Sequence, residues 1–315
     1  MDNVPIDWDN PAVKDYLALV RLQVLTPLSL LINIATIIIC SSVVKPSIGG
    51  ISRMYPTSIS PNSFAIAIYV AAIFAGEIGY CVLLSFVRKP ETKRALVKAV
   101  GFSLVLANWT MAFWAVFWVL QYFLVATILQ GLLILFLAYS NVALLIYHPP
   151  TSERPLDMAL IHAPLRFFML LPLAIMFPYS LFIYLGLYAP PDGGSGTPQP
   201  DSDKYAWPGF GVIITVNVLA LAVVILRRDI VWCVASTWLN ISMWTRRPKP
   251  AAVNVTSIVF TVVLPLALVA AYVQHYFVQK IRRPVRLEGE DPIIHRGVSE
   301  DQASGPREID PEGWN

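Results

Sequence analysis

One residue in this chain carries a charge where charge is costly. Glu77 sits in AIFAGEIGYCVLL, about ten residues inside a long apolar run, and is the sole acidic residue deep within any such run. A carboxylate placed in hydrocarbon costs about 2–3 kcal/mol or more on insertion scales. It must face other protein, with a polar partner or a bound proton. Such a group can carry a proton or cation step in a transporter. The blander reading is a structural carboxyl held by hydrogen bonds. No second acidic residue is present to complete a relay.

Uncharged amides lie in several other runs: Asn33, Asn108, Gln130, Asn141 and Asn217. Amides join helices across a membrane bundle or line a substrate path. Asn108 and Gln130 are the expected partners of Glu77, because their runs form a hairpin next in sequence. Glu77, Asn108, Gln130 and Asn217 form the candidate pathway set. A second candidate surface is aromatic. Trp109, Phe113, Trp114, Phe117 and Trp118 recur at helical spacing and suggest one broad face. Trp109, Trp114 and Trp118 are the candidate ligand contacts there, with plain aromatic packing or an interfacial belt as the alternative.

Chemistry of other kinds lacks its residues. GxSxG, HExxH and P-loop patterns are missing, and the chain reads as not an enzyme, with no metal site and no cofactor. His148 and His162 read as surface-loop histidines. Cys40, Cys81 and Cys233 are scattered in apolar stretches and form neither a disulfide framework nor a zinc site. The sequons at Asn240 and Asn254 abut apolar segments, so their use is not expected. Val273, Tyr276 and Lys280 match a loose cholesterol-contact pattern, but Tyr276 with Lys280, Arg282 and Arg283 reads first as an interfacial anchor. A net charge of +3 is too small for a nucleic-acid partner.

The elements that position these residues follow from hydropathy. Of 315 residues, 56% are hydrophobic and 14% charged, against about 25% charged in a typical soluble domain. The surface must therefore face lipid. Seven runs are long enough to span: 24–44, 63–87, 99–120, 123–147, 166–188, 207–226 and 252–277. In lipid the backbone must satisfy itself, so these are helices. An eighth segment, IVWCVASTWLNISMW at 230–244, spans about 22 Å as a helix, short of a hydrocarbon core of about 30 Å.

Basic residues favour counting it. With eight spans, 17 of the 23 Lys and Arg fall on one side, and the positive-inside rule places that side in the cytosol. Arg246, Arg247 and Lys249 then sit awkwardly on the other side. The expected fold is all-α: a polytopic transmembrane bundle of eight spans, seven firm and one short. It comprises an N-terminal cytosolic segment 1–23, a bundle 24–277 and a disordered cytosolic tail 278–315. Its partners are the lipid bilayer and a small-molecule or lipid ligand. Ala72–Gly76 and Ala75–Gly79 are small-residue pairs that let helices approach closely.

Residues Ser58 to Trp118 carry a resemblance. Pro61-Asn62, Gly79-Tyr80, the Thr92–Gly101 linker and Asn108-Trp109 resemble a fungal family of multi-pass membrane proteins without assigned activity. That resemblance implies a membrane location only. A fainter likeness, resting on tryptophan richness and a short helix after the second loop, is to tryptophan-rich sensory (translocator-type) proteins. It implies binding of porphyrins and sterols and carries no residues over. Three functions follow: a small-solute or proton-coupled transporter using Glu77, a non-transporting bundle that binds a lipid or hydrophobe, and a structural or assembly subunit.

Overall fold

A computed structural model of the chain describes residues 11–86, 95–147, 158–189 and 205–282. Among them every regular element is helical. Helix α1 runs Pro11–Ser42, α2 Ile48–Met54, α3 Ser63–Phe86, α4 Gly101–Val119 and α5 Phe123–Tyr147. The fifth span, α6, covers Ala159–Tyr184. Then come α7 Ala206–Arg227, α8 Ile230–Trp244 and α9 Ala251–Arg282. Seven of these helices are long and apolar enough to cross a membrane, and α8 is a shorter apolar helix. The chain is a multi-pass helical membrane protein.

Boundaries move where helix propagation outruns hydropathy. α1 starts at Pro11, inside the expected N-terminal segment. Proline suits a first helical turn because its missing N–H would be unpaired there anyway. α9 continues to Arg282, past the expected end at 277. Residues 1–10 and the tail from 283 lie outside the described residues, as do His148 and the linker 190–204. Residues 1–273 form one compact unit, which holds the contacts below. Residues 274–315 form a second; in it the rings of Tyr276 and Phe277 meet edge to face at 5.9 Å.

The core is α4 and α6. Their apolar windows are 61% and 72% buried, whereas that of α9 is 17% buried. α6 is not a uniform helix. Wide π-type turns occupy Met158–His162 and Pro172–Met176, and prolines 164, 172 and 178 lie along it. Proline has no N–H to give the preceding turn, so the ladder widens there.

Hydrogen bonds fix which ends meet. Gln23 of α1 donates to the Leu84 carbonyl near the end of α3, at what we call the near end. Arg166 near the start of α6 pairs with Asp229 before α8, and Tyr272 of α9 donates to the carbonyl of the adjacent Arg228. At the far end, Asn62 N–H donates to Ser242 O at 2.7 Å, and Gly209 approaches both Ser58 and Val253. α8 thus runs from the Arg166 level to the Asn62 level, antiparallel to α7 and α9. Its fifteen residues connect the two ends of the bundle. The final connection, with Arg246 and Lys249, lies at the far end.

Candidate functional site

A cavity of about 570 Å3 opens at the far end, between α1, α2, α3, α4 and α6. That volume lies within the range of about 300–1,000 Å3 for small-molecule sites. Its lining is mostly apolar, with Arg53 and four serines (Ser41, Ser47, Ser52 and Ser63) and no Asp or Glu. The inner wall is buried and is made by Met111, Trp114 and Trp118 of α4 with Ile175, Met176 and Tyr179 of α6. Ile175 and Met176 belong to the π-type turn opened by Pro172, so the irregularity of α6 falls on the cavity wall. The opposite edges, Ile38 of α1 with Ala67 and Ala71 of α3, are exposed. The cavity is therefore open along the flank between α1 and α3. From Ser63 to Phe74 the lining of α3 extends roughly 16 Å at 1.5 Å per residue.

The polar atoms here are few and specific. Trp118 donates its indole N–H to the Ile48 carbonyl at 3.3 Å, fixing the start of α2 over the cavity. Its ring packs on Trp114 at 5.5 Å, on Tyr179 at 5.4 Å and on Phe123 at 5.6 Å. Trp114 is 4% exposed, lines the cavity, and its Nε1–H has no hydrogen-bond partner in the structure. A buried indole N–H normally finds one.

The expected single aromatic face divides in two. Phe113 is exposed, and Trp109 is half-buried, 5.7 Å from it and away from the cavity. Successive helical residues point about 100° apart, and here Phe113 turns outward while Trp114 is buried at the cavity. Trp114 and Trp118 line the cavity, with Trp118 packed on Tyr179 of α6; Trp109 is not in the lining.

Glu77 lies one turn beyond the cavity floor. Asn108 Nδ2 donates to Glu77 Oε2 at 2.9 Å and to the Leu104 carbonyl at 3.3 Å, and Asn33 Nδ2 donates to Asn108 Oδ1 at 2.7 Å. Three helices are joined by one chain of amides and a carboxyl, all three side chains being buried. The relation to the cavity is regular. Ile37, Phe74 and Met111, each one turn from a member of this group, line it. Close packing closes the far side of α3. A Cβ on Gly76 would lie 2.8 Å from Pro164 Cγ, and one on Gly79 2.8 Å from Leu160 Cδ2, distances side chains do not tolerate. Gly76 and Gly79 therefore serve helix packing against α6, whereas Ala72 and Ala75 are exposed.

Two members of the pathway set lie elsewhere. Gln130 is buried on α5 and only approaches Met111 Sδ, at 4.0 Å, without reaching Glu77. Asn217 pairs reciprocally with Asn240 across α7 and α8, at 3.1 and 2.6 Å. That pair buries the Asn240 sequon. Asn141 joins α5 to α6 through the Leu165 carbonyl.

Sequence reading missed several polar contacts. Arg166, which resembles the last residue of a loop, is 5% exposed inside α6 and pairs with Asp229 at 2.6 Å. His162 is likewise buried rather than on a surface loop, its Nδ1 3.5 Å from Arg166 Nη2. A basic residue within four positions of an apolar run was the available signal. The awkward cations of the last connection are structural donors. Arg246 Nη1 donates to Ser52 Oγ at 3.3 Å and Pro61 O at 3.2 Å, and its Nη2 to Ser52 O at 3.1 Å. Lys249 Nζ donates to the carbonyls of Ser58 at 3.1 Å and Ser60 at 2.8 Å. Loss of water around the Lys249 ammonium, with the Arg246 charge beside it, lowers its pKa to about 7.

No curated protein and no solved structure matches the chain. A family model described as TSPO-like protein matches residues 23–187, just over half of the sequence, from within α1 to just past α6. The match falls on the translocator-type likeness, the fainter of the two read in the sequence. It contains every residue that lines the cavity and the whole Asn33–Asn108–Glu77 group, and leaves α7, α8 and α9 outside. On that match the chain belongs to the TSPO-like protein family.

Proposed function

We propose that this protein binds a flat apolar molecule of the sterol or porphyrin class, drawn from the bilayer into the cavity of α1–α4 and α6. The observation that carries this is the cavity itself, about 570 Å3 lined mostly by apolar side chains of five helices and exposed along its α1 and α3 edges. Burial of an apolar body supplies the affinity, and the few polar side chains of the lining, Arg53 with Ser41, Ser47, Ser52 and Ser63, orient the molecule. The exposed edges at Ile38, Ala67 and Ala71 give a route from lipid. The positive-inside rule puts the near end in the cytosol. Glu77 supports transport less directly, since it does not line the cavity and Asn108 occupies one of its oxygens.

The test is photo-labelling of the purified chain in nanodiscs by a photoreactive sterol, with a porphyrin as competitor. Wild type is expected to label saturably. Trp114→Ala removes apolar wall surface and should weaken labelling. Glu77→Gln keeps an acceptor for Asn108 and leaves labelling unchanged. Non-saturable labelling of wild type would sink the reading. Loss of labelling in Glu77→Gln would instead favour a proton-linked role for that carboxyl.

A further inference from the structure

We propose that Arg246, on the connection between α8 and α9, is a positioning residue for the ligand of this cavity, because it holds the cavity's rim. The proposal rests on the binding function above. The rim is the segment from the end of α2 to the start of α3, and Ser52, Arg53, Pro61 and Ser63 of it line the cavity. Between Tyr55 and Asn62 this segment has no helix to satisfy its carbonyls. Backbone groups without a regular ladder must find partners elsewhere.

Those partners come from two directions. From within the family-matched part, Tyr179 Oη shares its proton among Ser52 Oγ at 2.9 Å, Tyr55 O at 3.1 Å and Ser52 O at 3.2 Å. Tyr179 is itself a wall residue of the cavity. From outside that part, Arg246 reaches Ser52 Oγ, Ser52 O and Pro61 O. One guanidinium thus clamps both ends of the rim, residue 52 and residue 61. Its planar fork is suited to that, since two nitrogens bond different carbonyls at once. Lys249 fastens the stretch between them through Ser58 O and Ser60 O.

Docking of α8 does not by itself require Arg246. Trp238 of α8 donates to Ala65 O at 3.0 Å, and Asn62 N–H donates to Ser242 O. Arg246 is the contact that bears on cavity-lining atoms. The connection between α8 and α9, outside the family match, therefore adds control of the rim to a site built by α1–α4 and α6. Releasing Ser52 and Pro61 loosens the mouth, and a loosened mouth shows first in the dissociation rate of a bound molecule.

The experiment measures release of the photoreactive sterol from the full chain in nanodiscs, by chase with unlabelled sterol before illumination. Arg246→Ala is expected to release the probe about tenfold faster than wild type. Arg246→Lys, which keeps the charge and loses the fork, should fall between the two. Trp238→Phe removes a docking bond that touches no rim carbonyl and should change the rate less than twofold. Melting temperatures of all variants separate rim loosening from global loss of fold. Wild-type release by Arg246→Ala overturns the proposal and leaves the binding function standing. So does release from Trp238→Phe as fast as from Arg246→Ala, since docking in general would then suffice. A wild type that binds no probe refutes the binding function and this proposal together.

Discussion

Replacing Asp229 should destabilise the bundle more than any other single change outside the cavity. Its carboxylate has two tasks. Oδ2 pairs with Arg166 Nη1 at 2.6 Å, with both side chains about 95% buried. Oδ1 accepts from the N–H groups of Val231 and Trp232 at 3.0 and 3.2 Å, capping α8. Removing one partner of a buried pair leaves an uncompensated charge, at about 3–5 kcal/mol. Losing an N-cap costs about 1 kcal/mol more. Asp229→Ala should therefore cost about 4–6 kcal/mol. Asp229→Asn keeps the cap and loses the charge, so about 3–5 kcal/mol is expected. Adding Arg166→Met to Asp229→Asn removes the stranded guanidinium and should recover most of the loss. The assay is unfolding by SDS in mixed micelles, followed by far-UV circular dichroism. A loss below about 1 kcal/mol in Asp229→Asn refutes the argument, as does a double variant no more stable than the single one.

Two further outcomes test the architecture. If α8 crosses from end to end, single cysteines at Arg227 and Thr245 react with an impermeant maleimide from opposite faces of a sealed membrane; labelling from one face would mean that α8 does not cross. Lys249 should make stability depend on pH. Its pKa is about 7 in the folded protein and near 10.5 when exposed, so between those values the unfolded chain holds more protons and stability rises with pH. Below about 7 both forms hold the proton and this contribution is flat. Melting temperatures of wild type minus those of Lys249→Gln should show that rise, and a flat difference across the window would refute it.

The helical membrane class was legible in hydropathy alone, because hydrocarbon leaves the backbone no partner but itself. Glu77 was legible for the same reason, since a carboxyl in a long apolar run must be turned inward. Asn108 as its partner followed from hairpin adjacency, whereas Gln130 on the same hairpin points to Met111 instead. Adjacency gives two helices in contact but not which faces meet. The aromatic row of α4 shows the same limit: Trp109 and Trp114 are equally tryptophan in sequence, and only the arrangement of the helices around α4 puts Trp114 and not Trp109 on the cavity.

Arg246, Arg247 and Lys249 looked like an exception to the positive-inside rule. In the fold, Arg246 and Lys249 are donors to five acceptors of a segment nearly two hundred positions away in sequence. Arg166 looked like the edge of a loop and is a buried ion in the fifth span. Sequence by itself determined the seven long apolar runs and the one costly carboxyl, because each follows from a transfer energy that a residue carries alone. Tertiary structure decided the cavity, its unpartnered indole and its clamped rim, because each depends on several helices converging from distant parts of the chain.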